Sequence, residues 1–146
     1  MTTQAIPHDT VLSSSAAGRS RGALWAGRVL FIIPVLFLLM DGTMKLFQPA
    51  PVVEAMEQLG FAAGLAPVLG VILLACLALY LVPRTAVLGA VLLTAYLGGA
   101  IATHVRVGNP LFSHVLFPVY LAVMIWGALC LRDARVRALL LAEPAR

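Results

Sequence analysis

Asp41, Lys45, His104, Arg106 and His114 interrupt an otherwise apolar chain. Asp41 and Lys45 are four residues apart, a spacing that places both on one helix face. Their opposite charges suit a local ion pair, and Arg106 offers Asp41 a second, bidentate partner. His104 and His114 can donate, accept and carry protons near neutral pH. In such a cluster Asp41 orients a ligand or accepts a proton, while Lys45 and Arg106 set the local charge. The two imidazoles suit hydrogen bonding to a quinone or a similar lipid-soluble carbonyl. Asp41, His104 and His114 are also common metal-ligand types, but their spacing matches no metal signature. The chain has no haem motif, no nucleophile beside a base and no glycine-rich phosphate loop.

The elements that position this cluster follow from composition. The chain has 146 residues, 62% of them hydrophobic and 11% charged. Soluble domains run at about 45–50% apolar and about 25% charged. So greasy a chain implies a bilayer as solvent. The net charge of +4 does not point to nucleic acid, because the arginines gather at the chain ends and in one turn. Cys76 and Cys130 lie inside apolar runs with no paired motif, as packing residues do.

Four apolar runs, at about residues 24–47, 65–82, 86–103 and 111–131, are long enough to cross the hydrocarbon as helices. Backbone groups in lipid must bond within their own segment, which excludes open strands. The expected fold is an all-α, polytopic, four-helix transmembrane bundle over residues 23–133. A disordered tail, residues 1–22, precedes it, and a short basic cytoplasmic tail, residues 134–146, follows. The first run is too long for a signal-peptide core, so it is expected to be retained. Arg19, Arg21, Arg28, Arg84, Arg132, Arg135, Arg137 and Arg146 fall on one side of these runs, and only Lys45 and Arg106 on the other. That bias predicts cytoplasmic N and C termini. Trp25, Tyr80 and Trp126 are then expected toward the inner interface, and Phe47, Phe61 and Phe112 toward the outer one.

Local signals refine the picture. Pro49 and Pro51 stop the first run. Val52, Val53, Met56 and Leu59 then recur at helical spacing opposite Glu54 and Glu57, with Gly60 as a stop. This predicts a short amphipathic helix in the interface, placed to cover the outer corner. Ala86, Ala90, Thr94, Gly98 and Ala102 form a small-residue stripe, so the third span is expected to be gripped by two neighbours. Pro34 and Pro118 each deprive a carbonyl four residues back of its donor.

The combination of Asp41-Gly-Thr-Met-Lys45-Leu-Phe47, the turn at Val82-Pro-Arg84-Thr-Ala-Val-Leu-Gly89, and Tyr96-Leu-Gly98-Gly99 through His104-Val-Arg106 resembles the DoxX-like family of small four-helix membrane proteins. The stretch from Gly108 to His114 and the segment Trp126 to Asp133 extend the likeness. The resemblance implies a multi-pass protein of the bacterial inner membrane. The wider family takes its name from a membrane subunit of a thiosulfate:quinone oxidoreductase, and other relatives are linked to oxidative-stress complexes. It carries over no settled catalytic residues. Two readings stand side by side. One is a redox-linked subunit that touches a quinone and works with a membrane or soluble oxidoreductase. The other is a non-catalytic scaffold or small transporter, with oligomers open to either.

Overall fold

A computed structural model describes residues 21–62 and 64–140 of the chain. The expected N-terminal tail lies outside the described residues up to position 20. The elements are α1 (Arg21–Phe47), α2 (Ala50–Gln58), α3 (Leu65–Leu81), α4 (Ala86–Arg106), a π-helical turn (Leu111–Val115), α5 (Phe117–Arg132) and α6 (Ala134–Leu140). No strand occurs among the described residues.

Each of the four apolar runs forms a helix. Three stretches are long and apolar enough to cross a membrane: Trp25–Phe47, Ala86–Arg106 and Leu111–Arg132. The fourth, α3, has 17 residues, or about 25 Å of helix. The four long helices pack in a ring, with α1 against α3, α3 against α4, α4 against α5, and α5 back against α1. α1 and α3 run antiparallel, with Lys45 beside Gly70 at one end and Phe31 beside Tyr80 toward the other. The core between them is apolar: Leu38, Leu73, Leu77, Leu93 and Ile125 are at most 2% exposed. The outside is apolar too. Ile32, Leu36, Val71, Leu88, Val91 and Val123 all face outward. Water would penalise such a surface, whereas acyl chains match it.

Glycine sets two helix crossings. A Cβ on Gly89 would fall inside the backbone of Tyr80, so α3 and α4 meet there backbone to backbone. Gly42 and Gly70 bring α1 and α3 together in the same way, and Gly70 leaves room for the stem of Lys45. The small-residue stripe is used differently from expectation. α4 does pack between α3 and α5, but its buried face is Gly89, Ala90, Leu93 and Leu97. Gly98 and Ala102 stay exposed. Bulk matters more than smallness in this half of the bundle, where leucines fill the space between the helices.

The aromatic residues also depart from a simple interfacial belt. Tyr80 is only 3% exposed and donates its hydroxyl to the Ile125 carbonyl at 3.1 Å. Its ring lies 5.7 Å from that of Phe31. The indole N–H of Trp126 donates to Thr94 Oγ at 2.9 Å, linking α5 to α4. A polar handle inside an apolar bundle is stabilised where it finds a partner, and both rings do. Trp25 alone of the three is well exposed. Cys76 is buried, Cys130 is half-buried, and both are free thiols.

Candidate functional site

Three of the five polar residues, Asp41, Lys45 and His104, line a cavity of about 440 Å³ at one end of the bundle. Its walls are apolar, with Phe37, Leu38, Phe61, Leu69, Phe117 and Leu121 among them. Phe37 and Phe117 meet edge to face at 4.9 Å and join α1 to α5 along one side. Asp41, Lys45, Tyr96, Thr103 and His104 supply its polar groups. Apolar walls with a few convergent polar groups are the usual form of a small-molecule site.

Two helical stripes build this lining. On α1, Phe37, Asp41 and Lys45 follow one another at intervals of four. On α4, Tyr96, Gly99, Ala100, Thr103 and His104 occupy successive i, i+3, i+4, i+7 and i+8 positions. Tyr96 is the cavity residue that sequence reasoning left without a role. Its spacing to His104 was the available signal. Its hydroxyl is within electrostatic reach of Asp41 and makes no hydrogen bond within the described residues.

Asp41 Oδ1 accepts from Lys45 Nζ at 2.5 Å. Lys45 is only 15% exposed and Asp41 33%, so the ammonium is held down against the carboxylate rather than reaching outward. Arg106 does not join them. Its Nη2 instead donates to the Leu59 carbonyl at the end of α2. The reason is geometric. Lys45 is on the same helix one turn from Asp41, whereas Arg106 lies beyond His104 at the exposed rim. The last carbonyls of α2 lack donors of their own, and a guanidinium supplies one.

The ends of α2 and α4 beside the cavity are each closed by a positive-φ glycine. At the end of α2, Gly60 has φ 73°, with its N–H bonded to Glu57 and the Phe61 N–H bonded to Met56. This double bond pattern turns the chain so that Met56 and Phe61 both face the cavity. Met56 is the buried residue of α2. The expected amphipathic helix therefore exists and covers the cavity, with Glu54 and Glu57 exposed.

The same cap ends α4. Gly108 has φ 71°, and the Asn109 N–H bonds to the His104 carbonyl at 3.0 Å. That turn also brings Asn109 Nδ2 to 2.7 Å from His104 Nδ1. With the amide nitrogen donating, Nδ1 accepts and the imidazole proton sits on Nε2. The His114 ring lies 5.6 Å from the His104 ring, at 63°. His114 is exposed, in contact with Ser113 Oγ at 2.8 Å, and does not line the cavity. It stands on the π-helical turn that precedes Pro118. A wider turn there is one way a helix accommodates a proline that cannot donate.

The structure thus brings Asp41, Lys45 and His104 into one cavity, sets His114 behind His104, and places Arg106 on the cover. No group of three or more His, Cys, Asp or Glu side chains forms a metal-binding set among the described residues. Below the cavity the core of Leu73, Leu77, Leu93 and Ile125 closes the bundle, with no buried polar or charged side chain among the described residues.

These features define a class: an all-α membrane protein whose helices enclose an apolar cavity with polar groups at one end. Residues 29–128 match the DoxX-like family, and the chain belongs to it. The match covers every residue of the cavity and stops short of α6. No curated protein and no solved structure matches the chain.

Proposed function

We propose that the cavity binds the neutral carbonyl head of a quinone or a similar lipid-soluble molecule, and that the protein is a redox-linked membrane subunit. The observation that carries this reading is the balance of charge and donors in the cavity. Asp41 and Lys45 cancel, so the site favours neither an anion nor a cation. The Tyr96 hydroxyl and His104 Nε2 remain as donors, which suits an oxygen acceptor. The apolar walls suit a ring, and a volume of about 440 Å³ holds one. His114 extends the line of imidazoles from His104 to the surface, where protons are exchanged with water.

In this reading all four long helices cross the bilayer. The distribution of basic residues puts both termini in the cytoplasm and the cavity at the outer face. In the same reading the membrane is the bacterial inner membrane, which membership of the DoxX-like family supports. A membrane or soluble oxidoreductase would complete the electron path. Cysteine-accessibility labelling at positions 48 and 84 tests the orientation, with position 48 expected to be labelled from outside.

The ligand is tested on the full-length protein in mild detergent. Solvent extraction should release a co-purified quinone, and titration with a short-tailed quinone analogue should show saturable binding. Tyr96→Phe and His104→Ala should each weaken it about tenfold, the loss of one useful hydrogen bond. Absence of both co-purified quinone and analogue binding, or variants that bind as the native protein does, would overturn the assignment.

A further inference from the structure

The bundle end opposite the cavity carries Arg28 near the start of α1, Arg84 in the α3–α4 turn, Arg132 at the end of α5, and Arg135 and Arg137 in α6. Among the described residues none of these guanidiniums pairs with a carboxylate. Asp133, the one acidic residue described at this end, spends Oδ1 on the backbone N–H of Arg135 at 2.8 Å. Arg132 lies over the Phe31 ring at 4.3 Å. Gly27 faces the Leu131 side chain, which sets Arg28 and Arg132 at one level of the bundle.

Helix α6 adds apolar surface to this charge. Asp133 is extended, with φ −121° and ψ 114°, so α5 stops and α6 leaves its axis. Val136 is 5% exposed and joins the bundle core. Leu139 and Leu140 are three and four positions later, on the same helical stripe. Yet they are 84% and 53% exposed. A seven-residue helix does not persist in water without a surface to pack on. Val136 provides that surface for one turn, and the next is left with two exposed leucines beside two arginines that pair with no described carboxylate.

We propose that α6 is an interfacial anchor for anionic phospholipid. Leu139 and Leu140 enter the boundary of the acyl chains, and Arg135 and Arg137 meet the phosphates. A negatively charged bilayer surface satisfies both at once. The site lies at the far end of the bundle from the cavity, so it stands independently of any quinone.

The test is hydrogen exchange of residues 134–140 in the full-length protein. It is measured in nanodiscs of phosphatidylcholine and in nanodiscs containing phosphatidylglycerol. Exchange should be slower in the anionic discs, and added salt should remove the difference. Each arginine near an anionic surface contributes roughly fivefold to the docked-to-free ratio, so Arg135→Gln with Arg137→Gln should lower protection about 25-fold in those discs. Leu139→Ser should lower it in both lipids. Equal protection in the two lipids, or protection that ignores the arginine substitutions, overturns the proposal. So does protection that rises with protein-to-disc ratio, which would mean docking on a second copy of the chain.

Discussion

Arg106 donates to the carbonyl of Leu59, 47 residues away, and so ties the end of α4 to the end of α2. Apart from this bond, α2 is held mainly by Met56 in the cavity and by a light contact with α3. The cover of the site is thus latched by one cation.

Arg106→Gln should loosen that cover while the bundle stays folded. An exposed charged hydrogen bond of this kind contributes about 1 kcal/mol, so the opening equilibrium of α2 should rise about fivefold. Hydrogen exchange in residues 50–61 should quicken, with that in residues 86–100 unchanged.

Gly60→Ala acts on the same latch from the other side. Its φ of 73° disfavours any L side chain, and a Cβ there would sit 3.1 Å from Arg106 Nη2. A cost of about 1–2 kcal/mol is expected, read as a lower melting temperature together with faster exchange in α2.

The Asp41–Lys45 pair predicts non-additive behaviour. Lys45→Met alone leaves a half-buried carboxylate unpaired and should cost about 1–2 kcal/mol. Asp41→Asn alone strands the ammonium and should cost a similar amount. The double variant should be more stable than the sum of the single effects implies, as a denaturation-based double-mutant cycle would reveal.

The α3–α4 crossing is sensitive to volume. Gly89→Leu should drive the helices apart and cost about 3 kcal/mol, because the intruding side chain meets Tyr80 backbone rather than a movable side chain. Tyr80→Phe, which loses only the hydroxyl bond to Ile125, should cost about 1 kcal/mol. The order of the two melting temperatures checks the assignment.

The sequence by itself determined the medium and the secondary structure. Apolar runs with few charges satisfy their backbone in lipid only as helices, and three of the four are long and apolar enough to cross a membrane. Pro49, Pro51, Gly60 and Gly108 punctuate the chain through local sterics. It also determined the short cover helix, because Val52, Met56 and Leu59 repeat at a period that needs no tertiary contact to read. The tertiary structure decided which polar groups share a space. Asp41 and Lys45 are neighbours on one helix, so their pairing was legible. The partner of Arg106 was not, since it depends on where α2 crosses the end of α4, and that follows from the packing of Met56 and the bend at Gly60. The role of Tyr96, the burial of Tyr80 and the docking of Val136 had the same origin. Each is set by the rotation of one helix against another, and the close approaches at Gly42, Gly70 and Gly89 fix that rotation through contacts between residues far apart in the chain.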